Sequence, residues 1–406
     1  MKTIVQKFGG TSVSSKESRD KVSDKIIEKY NEGYRVVVVV SAMGRKGDPY
    51  ATDTLLDLIN PKIITNKEID LLISCGEIIS AVVLSNHLYE RGLKAAVLTG
   101  SQAGILTNNN FGNAEIINVD SKNIMKYLDE YRIVIVAGFQ GSNENGEVTT
   151  LGRGGSDISA VAIGSAIDCE QVEIFTDVDG IMTADPNIVP NAKVLKKMCY
   201  SEVYQLAEDG AKVIHPRAVE MAQQFNIPLI IKNTYSNSEG TSVEEVNVNF
   251  LNNRKELFNE KIVTAITYKK GRVQIIISLN DDEDEYKIDK LMEEITSNHI
   301  SLDLINFLVD KKIFTISKED KEKITTILER EDLDYKIIEN CCKISAIGYK
   351  MRGVPGVMAR IVKALSRENI KILQTSDSYN TIWCLIKEED TDKALTSLHK
   401  EFRLFE

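Results

Sequence analysis

Between a short apolar run and the first amphipathic stretch stands KFGGTSV, Lys7 to Val13. Two consecutive glycines let backbone N–H groups approach an anion closely, and a helix starting after them aims its positive end at the same spot. This is the makeup of a phosphate cradle with Lys7 at its edge, although a bare Gly-Gly turn also serves as a plain tight connection. It is neither a P-loop nor a dinucleotide fingerprint, since GxxxxGK[ST] is absent and GxGxxG does not follow the strand. A second group is TLGRGGSDISA, Thr150 to Ala160. There Arg153 could offer a planar fork to a carboxylate while the glycines keep side chains clear. The plain alternative is a helix cap at Ser156 or Asp157 with a solvent-facing arginine. Third comes IFTDVDGIMTADP, Ile174 to Pro186, carrying Thr176, Asp177, Asp179 and Asp185. A loop at the carboxyl end of a parallel strand is where α/β folds bind nucleotides, and it is equally the form of a surface turn. Fourth is GAKVIHP, Gly210 to Pro216, which contributes Lys212.

Other chemistries find less support. Four histidines, His87, His215, His299 and His399, share no metal-ligand spacing, and neither HExxH nor the nucleophile elbow GxSxG occurs. Six cysteines (Cys75, Cys169, Cys199, Cys341, Cys342, Cys384) form no CxxC pair and read as reduced, mostly buried small residues. Two lysines, several glycines and several aspartates remain, a set suited to phosphoryl transfer, where positioning and charge neutralisation do most of the work.

These groups need elements to hold them. Over the first 235 residues apolar runs alternate with amphipathic stretches, the βαβ rhythm of a parallel sheet covered by helices. Lys2–Phe8, Val36–Val40, Ala95–Leu98, Ile133–Ala137, Val172–Thr176 and Pro228–Ile231 are the expected strands. The text from Asn237 to Asn253 turns polar and Asn-rich, which places a domain boundary there. Beyond it a β-α-β-β-α-β order recurs over roughly 262–330 and 341–406, as in ferredoxin-like modules. One irregular α+β domain is the alternative. The expected organisation is a catalytic domain over 1–245 and modules over 262–335 and 341–406.

A chain of 406 residues is long enough for two or three such units. With 43% hydrophobic and 27% charged residues it has the balance of a globular protein, not a disordered one. Its formal charge of −10 argues against nucleic acid and anionic membranes as partners. No run approaches the roughly 20 apolar residues that cross a bilayer, and the N-terminus has no signal-peptide pattern. The expected location is the cytoplasm.

KFGGTSV, SAMG (Ser41 to Gly44), SCGE (Ser74 to Glu77), GFQG (Gly138 to Gly141), TLGRGGSD, FTDVDGIMTADP and GAKVIHP stand here in the order and spacing of aspartate kinases. With two C-terminal modules that look like an ACT pair, the resemblance covers nearly the whole chain. Within the family it is similar to the single-function, Bacillus-type members regulated by diaminopimelate. The resemblance implies the amino-acid-kinase fold, a mostly parallel sheet sandwiched by helices, followed by two ferredoxin-like ACT modules. It further implies ATP with Mg²⁺ as co-substrates and no tightly held metal of the protein's own. The reaction would phosphorylate the β-carboxylate of L-aspartate to 4-phospho-L-aspartate, the entry toward diaminopimelate, lysine, threonine and methionine.

By the same resemblance Lys7 and Lys212 would neutralise the transferring phosphoryl group and Asp157 would orient both. Phe8, Gly9, Gly10 and Thr11 would line the phosphates, and Thr176, Asp177, Met182, Asp185 and Pro186 would hold the nucleotide. Arg153 would take the substrate's α-carboxylate and Glu77 its ammonium, with Ser41, Thr52, Gly154, Gly155 and Ser156 completing the pocket. In the second module GVPGV (Gly353 to Val357) leads into a helix whose N–H groups could take an effector's carboxylate. Val354, Pro355, Gly356 and Val357, with Gln374, Asp377 and Asn380, form the expected allosteric site, for meso-diaminopimelate first, then lysine and threonine. A solvated edge is the plainer reading. Edge strands of such modules pair with another copy, so a homodimer or a dimer of dimers is expected. Two departures stand out, because many relatives read GIYTTDPR where this chain has Met182 and Asn187. The first module also lacks the Pro-Gly turn and offers DDEDEYKID. An acceptor carboxylate is already ionised at pH 7 and needs no general base, which agrees with a site poor in histidine. Glutamate or acetylglutamate kinase is the rival enzyme, and a sensing regulator without catalysis the rival of another class. The pairing of Arg153 with Glu77 favours a free α-amino acid, and retention of Lys7, Asp157 and Lys212 favours catalysis.

Overall fold

The computed structural model describes residues 1–211, 213–245, 262–279, 282–349, 351 and 354–406. The chain divides into two units. One comprises Met1–Ile181, Val194–Ala207 and Lys212–Asn247, the other Met182–Lys193, Glu208–Ala211 and Val248–Glu406. A single boundary within the polar Asn-rich stretch is the expectation; two earlier segments also belong to the second unit.

In the first unit the strands in chain order are β1 (Thr3–Phe8), β2 (Arg35–Val40), β3 (Ala96–Leu98), β4 (Ile105–Thr107), β5 (Ile116–Val119), β6 (Ile133–Ala137), β7 (Gln140–Ser142), β8 (Val148–Thr150), β9 (Val172–Thr176), β10 (Lys197–Cys199), β11 (Leu229–Asn233) and β12 (Thr241–Glu244). Eight of them form a sheet ordered β10-β12-β11-β9-β1-β2-β6-β3, parallel throughout except between β11 and β12. The central strands are buried on both faces, which is why Val36–Val40 and Ile133–Ala137 read as unbroken apolar runs. Strands β5, β4, β7 and β8 make a smaller sheet. The helix Lys16–Asn31 is capped by Ser15, whose side chain accepts the Ser18 N–H, and it buries Val22 and Ile26 against Ile4, Val36 and Val38. The helix Gly155–Ala166 is buried from Gly155 to Gly164. Its run of Gly, Ser and Ala lets it lie close on the sheet: a Cβ at Gly164 would come within 2.8 Å of Val172.

The second unit is one antiparallel sheet of β13 (Ala265–Ser278), β14 (Asp303–Phe307), β15 (Lys311–Ser317), β16 (Tyr335–Ile347), β17 (Gln374–Asp377) and β18 (Thr381–Lys387), ordered β14-β15-β13-β16-β18-β17. Helices Asp282–Ser297 and Lys321–Arg330 cover one core; Val357–Arg367 and Thr391–Glu401 cover another. Two helix-backed groups of strands share this sheet, and the strands are divided between them differently from the two expected β-α-β-β-α-β repeats. Residues Arg272–Ile277 of β13 pair with Tyr335–Cys341, whereas Ala265–Lys269 pair with Lys343–Ile347. The second module therefore takes a strand from before the first module, and only the turn-containing segment Phe402–Glu406 follows its last helix. A register shift between Lys269 and Arg272, with Gly271 at φ 69°, marks the handover. Ile266, 1% exposed, joins the second core, which explains why this strand segment goes there. Among the described residues no helix is long and apolar enough to cross a membrane.

Candidate functional site

β1 delivers Lys7 to the carboxyl end of the sheet, where its Nζ lies 2.7 Å from Asp157 Oδ1. Both side chains are nearly buried, at 13% and 10% exposure, so the pair is little screened by solvent. Asp157 sits in the first turn of its helix, where a carboxylate suits the positive dipole end. Its other oxygen accepts the backbone N–H of His215 at 3.2 Å. One carboxylate thus draws together the first strand, the Gly-rich helix and the GAKVIHP segment. Gly154 makes this approach possible: it caps the helix at φ 71°, and a Cβ there would fall 2.1 Å from the His215 ring. The helix cap expected at Ser156 or Asp157 is Gly154 instead, and no side chain caps this end.

After Phe8, whose ring stacks on Phe175 at 4.6 Å, the chain turns at Gly9 and Gly10 into the short helix Gly10–Val13. Any side chain at Gly10 would meet the carbonyl oxygens of Ala42 and Gly44 at 2.5 and 2.7 Å. The SAMG segment lies directly on this turn: the Gly44 N–H donates to Gly10 O at 2.9 Å and the Ser41 N–H to Phe8 O at 3.2 Å. Ser41 Oγ donates to Ser156 Oγ at 3.0 Å. Glu77, 2% exposed in the helix Asn66–Glu90, accepts the Ala42 N–H through Oε1 at 3.0 Å, while its Oε2 is buried without a partner. Burial pushes its carboxyl up to about 8, against the opposing pull of the Ala42 and its own backbone N–H groups. A cation set against Oε2 would meet the unmatched valence.

Lys7, Gly9, Gly10, Ser41, Glu77, Ser156 and Asp157 are therefore linked through contacts of one unit. Thr11 lies in the short helix, and Thr52 opens the helix Thr52–Leu56 half-buried. Arg153 is exposed between Gly152 and Gly154, both at φ 71°, and has no partner among the described residues. Lys212, like Gly353 of GVPGV, lies outside the described residues. At the end of β9 the Thr176 hydroxyl donates to Asp177 Oδ1 at 3.2 Å, and exposed Asp177 pairs with Arg45 at 3.3 Å. Asp179 is occupied by Ser236 and Asn233 at 2.6 and 2.8 Å, bonds that hold it below the ordinary carboxylate range.

Met182, Asp185 and Pro186 belong to the second unit. Asp185 accepts the Tyr268 hydroxyl at 3.1 Å and closes a turn on the Asn187 N–H at 2.9 Å. The Thr183 carbonyl accepts the Ile266 N–H at 2.8 Å, its hydroxyl lies 2.9 Å from His399 Nε2, and Ala184 and Val189 enter the second core. In that module Gly356, at φ 91°, caps the helix starting at Val357, which is buried, while Val354 and Pro355 are exposed. Gln374 is buried and spent on protein partners, bonding the Leu304 carbonyl, Gln274 and Asn306. Asn380 is buried, its carbonyl accepting the Gly348 N–H, and Asp377 is exposed.

All six cysteines are free, and burial pushes the thiols of Cys169, Cys199 and Cys384 up to about 12, where they are poor nucleophiles. Two contributors escaped the sequence reading: the backbone N–H groups of His215 and Ala42. Both lie inside motifs already singled out, GAKVIHP and SAMG, but a main-chain donor leaves no residue-type signal.

Profiles of two families match the chain, the amino acid kinase family over residues 2–233 and an ACT domain over 336–400. Aspartokinase 1 of Bacillus subtilis (strain 168) is 45% identical over 407 residues, all of both chains. The aspartokinase of Corynebacterium glutamicum is 36% identical over 425 residues, 100% of this chain and 97% of that one. Among solved structures, Escherichia coli aspartokinase III in complex with aspartate and ADP shares the fold at TM-score 0.75 and 23% identity, covering 98% of this chain and 99% of that one. The Clostridium acetobutylicum aspartate kinase gives TM-score 0.76 at 23% identity, over 99% and 100%.

Proposed function

The chain belongs to the aspartokinase family and phosphorylates aspartate, and from that premise we propose how its residues divide the work. The β-carboxylate of L-aspartate attacks the γ-phosphorus of ATP. The new bond is carboxyl oxygen to phosphorus, the bond to the β–γ bridging oxygen breaks, and ADP carries away its electron pair. Lys7 and Lys212 neutralise charge on the transferring group, and Asp157 holds Lys7 at the mouth of the Gly9–Gly10 turn. Backbone N–H groups of Gly9, Gly10 and Thr11 receive phosphate oxygens. Glu77 meets the substrate ammonium through its unpartnered oxygen, and Arg153 takes the α-carboxylate, with Ser41, Thr52, Gly154, Gly155 and Ser156 around them. Thr176 and Asp177 serve the nucleotide.

The observation that carries this reading is the Asp157 carboxylate, which meets Lys7 with one oxygen and the GAKVIHP main chain with the other. Mg²⁺ enters with ATP. Its ligands would be phosphate oxygens and water, as Mg²⁺ prefers. When bound it neutralises charge on the phosphates. The feedback amino acid, meso-diaminopimelate, lysine or threonine, acts through the ACT modules.

Hydroxylamine trapping of an acyl phosphate, run with aspartate, glutamate and acetylglutamate, tests the acceptor. Hydroxamate is expected from aspartate alone. Equal product from acetylglutamate would exclude Glu77 as the ammonium partner, because an acetylated amine carries no cation.

A further inference from the structure

The helix Asn66–Glu90 carries two buried carboxylates in its first half, and only Glu77 belongs to the site described above. The other is Asp70, 0% exposed. The two stand seven positions apart, about two turns of helix, and so lie on one side of it. Asp70 Oδ2 accepts the N–H groups of Gly112 at 2.9 Å and of Thr150 at 2.8 Å, and Oδ1 accepts the Thr150 hydroxyl at 2.7 Å. All three donors are neutral, so what Asp70 supplies to them is acceptor oxygens in place. Between the two acids, the Ser74 carbonyl accepts the side-chain amide of Gln140 at 2.8 Å, and Gln140 pairs with Thr150 in the smaller sheet. Thr150 opens the segment that presents Arg153. Leu151 donates its N–H to Phe139 O at 2.9 Å, and its carbonyl accepts Arg217 Nη1 at 3.1 Å. Gly152 and Gly154, both at φ 71°, then turn the chain about Arg153, and the Gly155 N–H closes the turn on Gly152 O at 3.0 Å. Exposed Arg153 thus stands on anchored backbone, and all of these residues lie in the first unit.

We propose that Asp70 is a positioning residue for aspartate binding: by tying Thr150 to the helix that bears Glu77, it sets the separation between the group that takes the substrate's ammonium and the group that takes its α-carboxylate. This rests on the reading of Glu77 and Arg153 as those two groups. An α-amino acid carries its ammonium and α-carboxylate on one carbon, so both contacts form together only if the protein groups keep a matching distance.

Asp70→Ala leaves three buried donors unanswered and releases the start of the segment. KM for aspartate is expected to rise at least about tenfold, the scale of a small misplacement, with KM for ATP changed less than about twofold. Asp70→Asn keeps one oxygen for the two N–H groups and turns an amide toward the Thr150 hydroxyl, which can also accept, so it should recover most of the loss. On an Arg153→Ala background Asp70→Ala should raise the aspartate KM less than about twofold further, because nothing is left for it to position. Equal effects on the two KM values, additive losses, or an Asp70→Asn variant no better than Asp70→Ala would each overturn the proposal. Should Asp70→Ala fail to fold, Thr150→Val removes one hydroxyl and keeps both N–H bonds; an aspartate KM raised about threefold is expected there, and an unchanged one overturns the proposal. Arg153→Ala by itself separates the two failures. A normal aspartate KM there removes Arg153 from the pocket and Asp70's role with it; a raised one beside normal values in Asp70→Ala and Thr150→Val removes the positioning role alone.

Discussion

Two buried clusters of opposite charges serve this chain differently. Around Asp157 and Glu77 the acidic groups are incompletely matched: Asp157 spends its oxygens on Lys7 and one backbone N–H, and Glu77 keeps an oxygen buried with no partner. Around Asp209 both carboxylate oxygens are filled, by a lysine and an indole, and that lysine is shared with a second aspartate. Leaving a buried polar atom unmatched costs roughly 1–3 kcal/mol. A ligand cation set against Glu77 Oε2 would favour its ionised form. The Asp209 carboxylate is fully matched, although Arg272 Nε at the edge of that cluster is buried without a partner.

The sharpest way to break that contrast is Lys7→Ala, which removes the preorganised cation from the unmatched cluster. Turnover is expected to fall at least about a hundredfold, or about 3 kcal/mol of transition-state stabilisation, with folding retained by circular dichroism. Near-normal turnover would mean that the pair is architecture, like the Asp209 cluster.

A smaller effect concerns Glu77. Its folded carboxyl titrates near 8 rather than near 4.5, so the unliganded protein keeps a proton that the unfolded chain has released. Its contribution to stability therefore declines as pH rises from about 4.5 to about 8. Binding the aspartate ammonium favours the ionised form and expels that proton. The apparent KM for aspartate should accordingly fall between pH 6.5 and 8.5, flattening above the titration. Glu77→Gln should raise KM roughly tenfold, the scale of a charge-assisted hydrogen bond, and abolish this slope. A slope that survives in the variant assigns the titration to another group.

The smallest expected effect is at the rim of the second module. Asp377→Ala, at an exposed strand end, is expected to weaken inhibition by meso-diaminopimelate, lysine or threonine about threefold to tenfold, a coupling of about 0.7–1.4 kcal/mol, with uninhibited kcat unchanged. Inhibition curves that superimpose on the wild type for all three amino acids would take Asp377 out of the effector site.

Much of this was legible in the chain. Val36–Val40 announces a strand buried on both faces because nothing polar interrupts it, and of the Gly9–Gly10 pair it is Gly10 that sits where only glycine fits. Of the groups that meet at Asp157, the motifs KFGGTSV and TLGRGGSD named the Lys7 and Asp157 side chains, whereas GAKVIHP contributes a backbone N–H that no residue type announces. Other features needed the third dimension. That Gly154 rather than Ser156 caps the helix follows from the His215 ring, which comes from 61 positions further along the chain and leaves no room for a Cβ. That residues 265–269 complete the second module while 272–277 begin the first depends on which sheet edge lacks a partner, a long-range pairing that local periodicity cannot express. Nothing in its local sequence marks Asp209 for burial. Its burial is decided by Lys343 and Trp383, more than 130 residues away, because the energy of a buried charge is set by what surrounds it and not by its neighbours in sequence.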